Sequence, residues 1–181
     1  MNRLTTKSFG QVLVIATLLL SIGCEKENPP TLIQNTPQKP TLQPATGQAQ
    51  PRLKTIQLYL GAAELTAEIA DENHERQMGM MHRTTMADKE AMLFVFPRPH
   101  RTGFWMKNTI VPLSIAYIDP ASRVMEIYDL EPGNTQPVES ISARVKYALE
   151  VNQGWFKRNG IKAGTVIATD RGSLAVSVKG L

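Results

Sequence analysis

Cysteine occurs once in this sequence, at Cys24, which rules out an intrachain disulfide. A domain working outside the cytoplasm would then depend on its core alone for stability. Aromatic residues are only 6% of the chain, so each Trp or Phe cluster carries weight. There is no G-x-S-x-G, H-E-x-x-H, phosphate-loop or dinucleotide-binding glycine pattern. Cys24 aside, no thiol is available as a nucleophile. His74, His82 and His100 lack metal-ligand spacing, so no metal and no cofactor is expected. Lys and Arg are scattered rather than striped, which leaves no nucleic-acid footprint. Long apolar runs are also missing. The best one, residues 9–22, is too short to cross a bilayer comfortably.

That short run has a different use. Arg3 and Lys7 precede it, and Gly23-Cys24 follows it, as in a secretory signal. The junction resembles a bacterial lipobox, in which the Cys becomes the acylated first residue of the mature protein. Ser21 departs from that pattern, because Leu is usual three places before the Cys, and here Leu20 is one place early. The expectation is a signal peptide over 1–23, a lipid on Cys24, and a membrane partner reached through that lipid. The location expected is extracytoplasmic, on the bacterial cell membrane or outer membrane. Removing Arg3 and Lys7 leaves 18 Lys and Arg against 16 Asp and Glu, so the formal charge falls from +4 to near +2.

Residues 24–51 read as a tether. They hold Pro29, Pro30, Pro37, Pro40, Pro44 and Pro51 with almost no large apolar side chains. Such a segment cannot bury enough surface to offset its ordering entropy. Residues 52–181 change in character and suffice for one domain with a core. Residues 55–60 and 65–70 alternate and predict a hairpin around Gly61. Asp71 or Asn73 is expected to cap a short helix over 74–78 that stops near Gly79. Further strands are expected at 92–96 (ended by Pro97 and Pro99), 103–108, 113–118, 124–130, 147–151, around 166–168, and 174–178. A second short helix is expected within 153–159. The fold class is α+β and β-rich: a rolled sheet or partly closed barrel with two short helices.

Several runs then belong together. They are Arg76-x-x-Gly79-Met80-Met81-x-Arg83, Met92-Leu93-Phe94-x-Phe96, Phe104-Trp105-Met106-Lys107-Asn108-Thr109 and Pro112-Leu113. Tyr147-Ala148-Leu149-Glu150-Val151-x-x-Gly154-Trp155 and Gly160-Ile161-Lys162-x-Gly164 follow. In this order they resemble the DUF192 family, also called UPF0127, over about 56–168. The resemblance implies a compact β-rich domain, frequently secreted or membrane-tethered, and implies no reaction. Two positions depart from the family pattern. Ala91 stands where Gly is usual, and Ser114 stands where Asp is usual. Chemistry that needed that Asp would be missing here.

Candidate site residues come from polar groups in apolar company. As a strand, 104–109 would put Phe104, Met106 and Asn108 on one face and Trp105, Lys107 and Thr109 on the other. Glu150 lies among apolar residues and needs a partner if buried, with Lys107 or Arg83 as the candidates. One reading is an ion pair that fixes sheet register. The other is a cleft lined by Arg83, Trp105, Lys107, Asn108 and Glu150, suited to a small polar or anionic ligand or a cell-envelope component. Two alternatives remain. One is an enzyme using Glu150 with Lys107 or Arg83. The other is copper(I) handling by Met78, Met80, Met81, Met86, Met92 and Met106, although Met also fills irregular core gaps.

Overall fold

The computed structural model describes residues 47–179. The signal, Cys24 and most of the tether lie outside the described residues. Among the described residues there are ten strands and three short helices. The strands are β1 (Thr55–Leu60), β2 (Ala63–Ala70), β3 (Glu90–His100), β4 (Gly103–Phe104) and β5 (Leu113–Ile118). β6 (Val124–Leu130), β7 (Val138–Glu139), β8 (Val145–Asn152), β9 (Ile167–Thr169) and β10 (Gly172–Ser173) follow. The helices are α1 (Asn73–Met78), α2 (Trp155–Arg158) and α3 (Leu174–Ser177). None of them is long and apolar enough to cross a membrane.

Eight strands form one mixed sheet in the order β10-β9-β1-β2-β3-β8-β5-β6, and β4 pairs with β7 separately. The β1–β2 hairpin is antiparallel, with Leu60 opposite Ala63. β2 and β3 run parallel, and the crossover between them carries α1. The sheet rolls without closing into a barrel. An isolated bridge, Arg123 to Val166, joins the residue before β6 to the residue before β9, supported by Val124 N–H donating to Thr165 O at 2.8 Å.

Rolling gives the sheet two cores. One gathers residues of β1, β2, β3, β5, β6, β8 and β9 with Trp155, Phe156 and Leu174 of the small helices. The other holds Met80, Met92, Phe94, Met106, Leu113, Ile115 and Tyr117 on the opposite face. β8 is the pivot, because Leu149 enters the first core and Ala148 the second. A strand buried on both faces reads as a continuous apolar run, as 147–151 does apart from Glu150.

Three expectations are corrected. Residues 174–178 do not form a strand. Leu174–Ser177 is a helix, whose Leu174 and Ser177 are buried while the residues between are exposed. A spacing of three fits one helical turn, and a five-residue window does not separate it from alternation. This makes the helix count three rather than two. Pro97 and Pro99 do not end β3, which runs to His100 through a register shift after Val95. Proline lacks the N–H a ladder needs, so a bulge is where a strand tolerates it. The cap of α1 is Glu72, not Asp71 or Asn73. Glu72 and Glu75 form a reciprocal capping box, with Glu75 Oε2 accepting from Glu72 N–H at 3.0 Å.

Candidate functional site

Glu150 sits at mid-sheet. On β8 it lies opposite Met92 of β3 and Ile115 of β5. Strand alternation sends its side chain to the face of Met92, Ile115 and Tyr117, away from Leu149. The residue is 4% exposed, and its Oε2 has no hydrogen-bond partner among the described residues. It makes no salt bridge among the described residues. Burial pushes its carboxyl up from 4.5 to about 8. At neutral pH the group is therefore mostly an uncharged acid, both donor and acceptor.

A cavity of about 440 Å³ opens over this carboxyl. Its walls come from α1 and the segment after it (Arg76 to Met81), from Phe94 and Phe96 of β3, and from Thr102 to Trp105 with Thr109. Gly79 is required at the junction. Its φ is +47°, and a Cβ there would stand 3.2 Å from Phe94 Cζ. Phe104 packs edge-on against Phe94, with centroids 4.8 Å apart, and extends the ring contacts to Tyr117 at 6.1 Å. The Tyr117 hydroxyl donates to Val138 O. Burial pushes that hydroxyl up, and the Glu150 and Glu126 carboxyls add to the shift. Arg76 is the one cation on the cavity wall among the described residues. Its Nη1 is held by backbone, donating to Val95 O at 2.9 Å and to Asp71 O.

The other charged candidates lie elsewhere. Arg83 is 8% exposed and binds Glu68 through both terminal nitrogens, at 2.7 and 2.8 Å. Leu53 N–H at 2.8 Å and Arg52 at 2.7 Å complete the shell of Glu68. Burial alone would push the Glu68 carboxyl up, but these donors outweigh it and hold the group below the usual carboxylate range. Lys107 is exposed, with Nζ 5.5 Å from the Trp105 ring centroid. The expected pairing of Glu150 with Lys107 or Arg83 is therefore wrong. Asn108 is exposed with φ +55°, and its carbonyl accepts from His82 N–H at 2.8 Å.

The 103–108 strand also shortens to Gly103–Phe104. Alternation of burial persists to Lys107 and ends where Asn108 turns left-handed. Of the five ligand candidates, Trp105 and Glu150 share the cavity, and Arg83, Lys107 and Asn108 do not line it.

Sequence reasoning missed Arg76, the Phe94–Phe104 wall and Glu68. Residues 76–83 and 92–96 were already singled out as motif blocks, and those blocks are what converge here. Glu68 gave no such signal, since it looked like the outer face of an alternating strand. The methionines divide. Met80, Met92 and Met106 are core, and Met78, Met80 and Met81 also touch the cavity. Ser114 points to the other face. Its hydroxyl donates to Asp129 and accepts from Gly154 N–H at 2.8 Å, so the departure there does not alter the cavity.

Known proteins agree with this architecture. A structure from Novosphingobium aromaticivorans DSM 12444, described as a protein of unknown function, is 28% identical with a TM-score of 0.60. The match covers 72% of this chain and 97% of that one. A structure from Sinorhizobium meliloti 1021, described as a candidate transcription regulator, is 30% identical with a TM-score of 0.59. That match covers 64% of this chain and 92% of the other. No curated protein matches the chain. The model of DUF192, described as an uncharacterized ACR, matches residues 56–169, where β1 through β9 and the cavity lie, and the chain belongs to that family.

Proposed function

We propose that this protein is a lipid-anchored, extracytoplasmic member of its family that binds a small ligand in the cavity above Glu150. The observation that carries the binding reading is that Glu150, a buried carboxyl with one oxygen unpartnered among the described residues, lines the cavity. A buried polar group without a partner is costly, and a ligand that completes it recovers that cost. The apolar walls of Phe94, Phe96, Phe104 and Met80 supply area, and a few convergent polar groups set orientation. The anchor reading rests on Arg3, Lys7, the apolar run 9–22 and Gly23-Cys24.

Thermal unfolding of the full chain against short-chain alcohols, amides, amines and carboxylates tests the binding. At least one class raises the midpoint by mass action. Met81, half-buried on the cavity wall, gives the control. Met81→Trp fills the space and removes the response. A panel without effect, or a response that survives Met81→Trp, rejects the cavity as the site.

The anchor is tested by fractionation. Wild-type protein partitions with membranes and carries lipid on Cys24, and Cys24→Ala leaves the protein unacylated. Soluble wild-type protein with an unmodified Cys24 would overturn the anchor.

A further inference from the structure

We propose that the ligand of this cavity is a cation, an amine or quaternary ammonium group whose charge is balanced by the Glu150 carboxylate. The inference rests on the ligand-binding reading and adds the charge and class of the ligand.

Glu150 is a buried acid with no counter-ion of its own. Its neighbours across the ladder, Met92 and Ile115, offer nothing that pairs with it. The ionisable groups that face it are few. Tyr117 approaches from β5, but its hydroxyl already donates to Val138 O. Arg76 lines the same cavity from α1, with its Nη1 engaged by the carbonyls of Val95 and Asp71, and burial alone shifts the Glu150 carboxyl. Neither Lys107 nor Arg83 lines the cavity, and Arg83 is committed to Glu68. Among the described residues, one acidic position at the cavity is therefore left without a partner.

The walls favour the same charge. Phe94, Phe104 and Trp105 present rings, whose faces attract cations and disfavour anions. Met78, Met80 and Met81 add polarisable thioethers and no charge. Among the described residues, an anionic ligand would meet an acid, aromatic rings and one cation, Arg76, whose Nη1 is engaged by backbone carbonyls. Of the small polar or anionic ligand expected from the sequence, the anionic option drew on Arg83 and Lys107, which do not line the cavity.

The protons balance simply. The ammonium keeps its charge on entry, and Glu150 gives its proton to solvent. One proton is released per cation bound below the titration of Glu150, and none well above it. No covalent bond forms or breaks.

The test titrates the full chain calorimetrically with choline, its neutral carbon isostere 3,3-dimethylbutan-1-ol, and the anion 3,3-dimethylbutanoate. Choline affinity rises about tenfold per pH unit on approach to the Glu150 titration and then levels. The binding heat changes between phosphate and Tris buffers, which reports the released proton. Glu150→Gln weakens choline by about 30-fold or more, while the neutral alcohol binds the variant as it binds wild type. If the alcohol binds wild type as tightly as choline, without pH dependence, the cation assignment fails and the cavity remains a binding site. If the anion binds best, the assignment is reversed. If no probe binds wild type, neither the cation nor the cavity reading stands.

Discussion

Arg83→Met lowers the stability of the folded domain by about 3–5 kcal/mol in denaturant unfolding, because it strands a buried carboxylate. Glu68 is 5% exposed, and Arg83 covers both of its oxygens. Arg52 still reaches Oε1, but its side chain is largely exposed and screened by water, so it replaces little of what is lost. Glu68→Gln also costs stability, since Arg83 is then the unpaired buried charge. The double substitution to Met and Gln costs less than the sum, because each single change already removes the shared contact.

The pair also has a pH signature. A carboxyl held below its ordinary value contributes stability that is present above that value and is lost as pH falls through its folded titration. Wild type therefore loses stability on the acid side, and Arg83→Met loses that slope. A cost below about 1 kcal/mol for Arg83→Met would mean that the contact is effectively solvated. The Met81-sensitive ligand response should be indifferent to this pair, which does not line the cavity.

How much of this was legible depends on the range of the interactions involved. The hairpin 55–70 could be read because both strands alternate about a turn at Gly61, and that information is local. β5 and β6 were equally plain. The parallel pairing of β2 with β3 was not, because it joins segments separated by α1 and a loop. That pairing makes β2 an interior strand and turns Glu68 from an apparent surface residue into a buried one. The same limit explains Glu150. Its apolar neighbours announced burial correctly, and its partner was then sought among cations close to Trp105 or Met80 in sequence. Side-chain direction decides such matters. Lys107 folds back over Trp105 in solvent, and Arg83 turns to Glu68. The cavity could be foreseen only as motif blocks of unassigned purpose, since its walls come from four separate stretches.

Glu150 gives the second large effect, and its sign is opposite to that of Glu68. The folded protein holds this carboxyl near 8, against an ordinary 4.5, because burial penalises its charged form. Between those values the folded state keeps a proton that the unfolded chain has released. Stability is then full below the ordinary value and falls as pH rises toward 8, by about 1.4 kcal/mol per pH unit where the difference is one proton. Above the folded titration the loss is complete and the slope vanishes. Glu150→Gln keeps the shape and polarity of the neutral acid and cannot ionise. The variant should match wild type, within about 1 kcal/mol, only near or below the ordinary carboxyl value of 4.5. From there up to about 8 it should become increasingly the more stable protein, because the unfolded wild-type chain gains by releasing a proton that the folded state keeps. Urea unfolding of both proteins across this range reads the divergence directly. Parallel curves for the two proteins would show that Glu150 is ionised throughout or solvated, and would remove the buried acid on which the cation site depends. Saturating choline flattens the wild-type trend between those values, since the complex and the unfolded chain then both carry the ionised carboxylate. A buried acid that lines the cavity and has no ionic partner among the described residues predicts both behaviours in one residue.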